Sequence, residues 1–162
     1  KAANVDFILP LADGSVRGKV VDGKGNPLSG AWVYLSEGVF GGQQYGWGNT
    51  QADGTFLIDG VVAGSYLARV YAYGYAMEVV YVDVERQKTT TITEVRLNEG
   101  GSASGVVVDK DGKPYAAQSG IFGSASYLCA FTEDFTRWAG AGLEEGGTFK
   151  MENLAVGVPY HP

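Results

Sequence analysis

The residue types that most often carry out chemistry are nearly absent from this chain. Among 162 residues there is one histidine, His161, and one cysteine, Cys129. A zinc peptidase centre needs several His and carboxylate ligands around the ion, and one penultimate histidine cannot supply them. Ser-His-Asp and Cys-His nucleophile systems are excluded in practice by the same scarcity. No G-x-x-x-x-G-K-[ST] phosphate loop occurs, nor a G-x-G-x-x-G between strand and helix. Cys129 lies in SYLCAF and is expected as a small buried hydrophobe. As the lone cysteine it permits no intrachain disulfide. His161 is expected in a loop or frayed end. The chain is therefore expected to have no catalytic residues, no metal ligands and no cofactor.

Asp22, Asp53 and Asp109 sit in Gly-rich turns and are the remaining metal candidates. Neither DGKGNP nor DKDGKP has the oxygen spacing of a calcium loop, and each puts lysine where a ligand is wanted. Asx turns, in which the carboxylate bonds its own backbone, are expected instead.

Aromatic residues are in surplus, with ten Tyr, seven Phe and three Trp. Trp32 and Tyr34 point away from the core by strand parity, and Tyr45 and Trp47 lie on the hairpin that follows. Tyr71, Tyr73 and Tyr75 add a second group, and Phe131, Phe135 and Trp138 lie in YLCAFTEDFTRWAGAG. Trp32, Tyr34, Tyr45, Trp47 and Trp138 are the exposed contact candidates. Three readings stay open for them. Neighbouring modules cover them, or they meet another protein, or they stack on sugar rings.

The elements that must position these side chains are strands, and they are repeated. Ser15 to Leu28, SVRGKVVDGKGNPL, returns as Ser102 to Tyr115, SASGVVVDKDGKPY, with Gly18, Val20, Val21, Asp22, Gly25 and Pro27 each recurring 87 positions later (105 − 18 = 87). Asp53-Gly-Thr-Phe56 is echoed by Gly146-Gly-Thr-Phe149, and Gly60-Val-Val-Ala-Gly64 by Asn153-Leu-Ala-Val-Gly157. Such internal similarity indicates a tandem array. Val16, Gly18 and Val20 form an inward set, as do Ala31, Val33 and Leu35. No long window carries a helical period, so the fold class is all-β with the strand spacing of a sandwich.

Segment boundaries come from the repeat. Residues 12–98 are expected to form a complete module and residues 99–162 a partial one that lacks equivalents of Ser65 to Leu97. Residues 1–11 hold an orphan strand, Asn4 to Leu9, with Val5, Phe7 and Leu9 on one face. It is expected to be the end of a preceding module or a donor strand, comparable with Thr91 to Leu97. A net charge of −6 and a pI near 4.7 argue against a nucleic-acid or anionic-membrane partner. No apolar run approaches the roughly 18 residues of a membrane span. Lys1 leads straight into strand-like sequence, so a mature or trimmed form is expected if the protein is secreted.

The pattern GSVRGKVVDGKGNPLSGAWVYL followed by TQADGTFLIDGVVAGSYLARVYAYGYA resembles the carboxypeptidase regulatory-like domains, which are related in fold to transthyretin and to the B-type repeats of bacterial collagen adhesins. The resemblance implies tandem transthyretin-like (Ig-like) antiparallel β-sandwich modules of seven strands in an extracellular or cell-surface array. Adhesin repeats of this fold sometimes carry a Lys–Asn isopeptide bond, for which Lys19, Asn98 and Glu78 are the candidates. The alternation turns Lys19 to solvent, whereas the reaction needs the amine in an apolar core. No such bond is expected.

Two functions are consistent with these features. The first is a non-enzymatic structural module of a stalk, surface layer or filament, self-associating or joined to neighbouring modules, with residues 4–9 donated to the incomplete module of the next subunit. The alternative is a polysaccharide-binding or spacer accessory module of a larger secreted enzyme.

Overall fold

The computed structural model describes residues 10–38, 44–115 and 126–162. Alternating side chains write most of the strands. In β4 (Thr55–Val61) Phe56 and Ile58 are buried while Thr55, Leu57 and Asp59 are exposed. The other strands of the first repeat are β1 (Gly14–Asp22), β2 (Trp32–Ser36), β3 (Gln44–Asn49), β5 (Gly64–Tyr71), β6 (Glu78–Val84) and β7 (Thr89–Leu97). They form two sheets, ordered β4-β1-β7 and β3-β2-β5-β6. The inner faces meet in one core, with Val16, Val20, Phe56, Ile58, Val95 and Leu97 from the first sheet against Val33, Leu35, Tyr66, Ala68, Val70 and Val82 from the second. This is a seven-stranded β-sandwich.

One pairing departs from the expected antiparallel pattern. β7 runs parallel to β1, with Val20 opposite Val95 and Asp22 opposite Leu97. The whole sandwich separates these two strands in sequence, which satisfies the long crossover that parallel pairing needs. β1 thus has β4 on one side and β7 on the other.

The second repeat has β8 (Gly101–Val106), β9 (Tyr127–Phe131), β10 (Trp138–Gly142) and β11 (Thr148–Leu154), with a short 3-10 turn at Glu145–Gly147. Its repeated turn is rebuilt bond for bond. Asp22 N donates to Asn26 O and Asp109 N to Lys113 O, both at 2.8 Å. Val20 N donates to Gly54 O at 2.8 Å, and Val107 N to Gly147 O at 2.9 Å. A Cβ on Gly54 would lie 2.5 Å from Val20 O, and one on Gly147 2.8 Å from Val107 O, so each glycine is required by close backbone approach as well as by positive φ. Gly18 lies beneath the Phe56 ring and Gly105 beneath Phe149 in the same way. The left-handed position near the end of β4 is Gly60, and its echo near the end of β11 is Asn153 with φ 60°, asparagine being one of the few other residues at ease there.

The second core is small. Ala130, Ala139, Ala141 and Met151 are buried, with Leu128, Phe149, Leu154 and Tyr160 packed against them. Among the described residues β8 pairs with β11 alone, and β9 with β10. Arg137 ties the repeats together by pairing with Glu78 at 2.5 Å and donating to Met77 O at 3.1 Å.

Several single-residue expectations are corrected. His161 is not frayed. Its backbone exchanges two 2.7 Å hydrogen bonds with Phe131 at the end of β9, an isolated bridge outside the named strands. Cys129 is half-buried rather than buried, since the alanine-lined core beneath it is thin. Lys19, expected to point to solvent, is half-buried where the β1–β7 register shifts between Gly18 and Val20. Glu78 is committed to Arg137. The strand expected at Asn4 to Leu9 lies outside the described residues.

Candidate binding surface

β2 places its side chains by parity. Val33 and Leu35 enter the core, while Trp32 and Tyr34 emerge on the outer face of the β3-β2-β5-β6 sheet. Antiparallel registers then set Trp47 of β3 opposite Tyr34, and Tyr71 of β5 opposite Trp32. The result is a row of rings across three strands. Trp32 stacks on Tyr71 with centroids 6.2 Å apart and planes 8° from parallel, and on Trp47 at 6.3 Å and 28°. Tyr34 meets Tyr71 edge-on at 6.0 Å. These are the offset and T-shaped arrangements that ring quadrupoles favour. Trp47 is 64% exposed and Trp32 48%, so the row is a surface feature.

Arg69 props the row from beneath. It is buried on the outer side of β5 with its guanidinium 5.9 Å from the Tyr34 ring, and it donates to Ser36 Oγ and, at 3.2 Å, to Gly38 O. Burial pushes the Tyr34 phenol above its ordinary pKa, and Arg69 works weakly the other way. A buried arginine in a strand that also buries Tyr66, Leu67, Ala68 and Val70 has no signal in hydrophobic alternation, so strand parity gives no hint of it.

Tyr45 stands apart from the other aromatic candidates. The β2–β3 register shifts between Leu35 and Ser36, which leaves Tyr45 as the extra residue of a bulge. Its ring turns to the rim of the core, 5.2 Å from Tyr66, and its hydroxyl donates to Glu37 at 2.9 Å. That bond is the main reason its pKa is raised.

Trp138 opens β10 and faces back across the junction of the two repeats. With Tyr34, Tyr71, Tyr127, Gln44 and Asn153 it lines a cavity of about 470 Å³, which Ala72, Tyr75 and Met77 also line. Tyr127 lies against Gly140, where any Cβ would come within 2.4 Å of its ring. The donor-strand residues Val5, Phe7 and Leu9 fall outside the described residues. Val106, at the end of β8, and Val108, just after it, are about half exposed.

The turn aspartates take the Asx geometry. Asp22 Oδ1 accepts from Lys24 N and Asn26 N at 2.8 Å, and Asp109 Oδ1 from Asp111 N at 2.8 Å and Lys113 N at 3.0 Å. Hydrogen bonds from the Asn26 side chain and backbone hold the Asp22 carboxyl below its ordinary pKa. No group of three His, Cys, Asp or Glu among the described residues is arranged to hold a metal ion. Chemically, the aromatic surface offers ring faces, side-chain amides and phenols.

Residues 15–98, just over half of the chain, match the sequence profile of the carboxypeptidase regulatory-like domain. The chain belongs to that family. The regulatory-like match ends at Asn98, between β7 and β8. No curated protein matches the chain. Solved structures similar to it include the Bacillus anthracis TIE protein, at 18% identity and TM-score 0.43 over 87% of this chain and 26% of that one. The minor pilin GBS52 of Streptococcus agalactiae is 20% identical, at TM-score 0.46 over 56% and 46% of the two chains. A streptococcal ancillary pilin is 17% identical, at TM-score 0.40 over 91% and 53%. The chain thus spans about a quarter of the first protein and about half of each pilin. These values carry no inference about function. No helix among the described residues is long and apolar enough to cross a membrane.

Proposed function

We propose that this chain is a non-catalytic structural module of an extracellular or cell-surface assembly, joined head to tail by strand addition at β8. One observation carries the reading. The repeated strand has neighbours on both sides in its first copy, whereas among the described residues β8 has only β11. A strand edge with no partner among the described residues is a template for another strand, and Val106 at the end of β8, with Val108 just beyond it, adds exposed apolar side chains there.

Residues 4–9 have the pattern of a fitting occupant. Val5, Phe7 and Leu9 alternate as Thr93, Val95 and Leu97 do in β7. The segment precedes β1 by a short linker, as β7 precedes β8. A copy that offers it to β8 of the next, parallel as β7 lies on β1, makes a heterologous contact that need not close. The product is a filament or stalk. Family membership supports the surface setting, since such domains are appended to many secreted and surface proteins.

Light scattering and negative-stain microscopy of the full chain and of a variant lacking residues 1–10 test this. The full chain is expected to grow with concentration into linear particles, and the deletion to remain monomeric. Unchanged assembly after the deletion, or a full chain that stays monomeric throughout, contradicts the proposal.

A further inference from the structure

The aromatic cavity at the junction of the repeats lies away from the β8 edge and does not depend on strand addition. We infer that this cavity, with the ring row that leads out of it, is a binding site for a neutral polysaccharide. The lining decides the chemical class. Tyr34, Tyr71, Tyr127 and Trp138 supply ring surface, and Gln44 and Asn153 supply amides that both donate and accept. The one carboxylate among the lining groups, Glu152, is held by Lys150 at 2.5 Å. Among the described residues no cation lines the cavity, so phosphate, sulfate and uronate groups find no counter-charge there in a chain of net charge −6.

A pyranose presents what this lining complements. Its axial C–H groups form flat apolar patches for ring faces, and its hydroxyls around the rim both donate and accept. Few placed polar groups among aromatic walls is the general character of small-molecule pockets, and about 470 Å³ is within their usual size. Tyr34 and Tyr71 reach the cavity from β2 and β5, whose backbone groups are paired on both sides. Over β2 and β5 an extended peptide would meet side chains and no free backbone groups, whereas a sugar needs none.

Two further features favour a polymer held on a prepared surface. Trp32 and Trp47 continue the ring row from Tyr71 beyond the cavity lining, so ring surface is also available to sugar residues next to the one enclosed. The rings are also already fixed. Arg69 backs Tyr34, Gly140 seats Tyr127, and the Arg137–Glu78 pair holds the β10 side of the cavity against β6. Rings with few torsions, held in place before binding, lose little entropy when the ligand arrives.

The test is affinity electrophoresis of the full chain in native gels containing a galactomannan, an arabinoxylan, a mixed-linkage β-glucan or a soluble α-glucan, with polygalacturonate as the anionic control. At least one neutral polymer is expected to retard the protein, and polygalacturonate is not. Trp138→Ala and Tyr71→Ala are expected to weaken the retarding polymer's binding about tenfold or more, with Trp32→Ala weaker in effect. Tyr81→Ala, on β6 outside the cavity, should change nothing, and thermal melts establish that each variant is folded. Lack of retardation by all four neutral polymers overturns the inference. So does equal retardation of a folded Trp138→Ala, or retardation by polygalacturonate alone. A Trp138→Ala variant that binds sugar normally but assembles differently assigns the face to protein contact instead. Strand donation fails or stands on the deletion of residues 1–10, which leaves the cavity intact, so the two outcomes are separable.

Discussion

β1 and β8 are copies of one strand with different surroundings, and the difference separates what sequence dictates from what neighbours dictate. Locally the copies agree. The turn after each strand is closed by the same hydrogen bonds, each has a glycine beneath a phenylalanine ring, and each ends against a positive-φ glycine. Their burial is opposite. Val21 is 0% exposed, while its counterpart Val108 is 52% exposed. Turn chemistry acts over a few residues and survives in both copies. Burial requires a second sheet and a strand along the far edge, and β7 and β3-β2-β5-β6 provide those for β1 alone among the described residues.

The largest expected effect falls on the side that is fully packed. Leu35→Ala in the first core should lower the unfolding free energy by about 2–5 kcal/mol in urea titration, through lost burial and the cavity left behind. A loss below about 1 kcal/mol would remove the claim that this core holds the sandwich together. The matched pair Val21→Ala and Val108→Ala sharpens the comparison further. The first should cost about 2 kcal/mol. The second should stay within about 0.5 kcal/mol in monomeric chain, as exposed substitutions do. Equal losses would mean that β8 is covered in solution.

The tie between the repeats should be weaker. Arg137 and Glu78 form a charge-assisted pair whose side chains keep 21% and 30% of their exposure. A double-mutant cycle on Arg137→Ala and Glu78→Ala is expected to give a coupling of about 1 kcal/mol, falling with added salt. Zero coupling at low salt would uncouple the two halves of the aromatic cavity.

The smallest effect is acid dependence at the repeated turn. The folded-state pKa of Asp22 is depressed by its Asn26 hydrogen bonds. A depressed carboxyl contributes stability above its unfolded pKa and loses it as pH falls through the folded value. Wild-type melting temperature should therefore fall as pH drops below about 4. Asp22→Asn, which can still accept from the same backbone, should make that decline shallower. An identical decline in both would assign it to other carboxylates.

The β-sandwich was legible in the chain because alternation and turn residues act locally. Val16, Val20, Val33 and Leu35 can be assigned to a core, and the Asx turns to Asp22 and Asp109, without coordinates. The outward placement of Trp32 and Tyr34 follows from parity too. Parity does not reach Tyr45, because one extra residue in β3 reverses the side on which a side chain emerges and no residue type announces a bulge. Arg69 was hidden for a related reason, being a charged residue on an outer face that neighbours cover. The convergence of Trp138, Tyr127 and Tyr71 on one cavity depends on how the repeats meet through Arg137 and Glu78, a contact 59 residues apart in sequence.

Amide hydrogen exchange on β8 as a function of protein concentration tests the central claim most directly. At high dilution Gly101–Val106 should exchange much faster than Gly14–Asp22, and on assembly β8 should acquire protection approaching that of β1, a gain abolished by removing residues 1–10. Contradiction would come from a β8 as protected as β1 in the dilute monomer, or from one that still exchanges quickly in the assembled state.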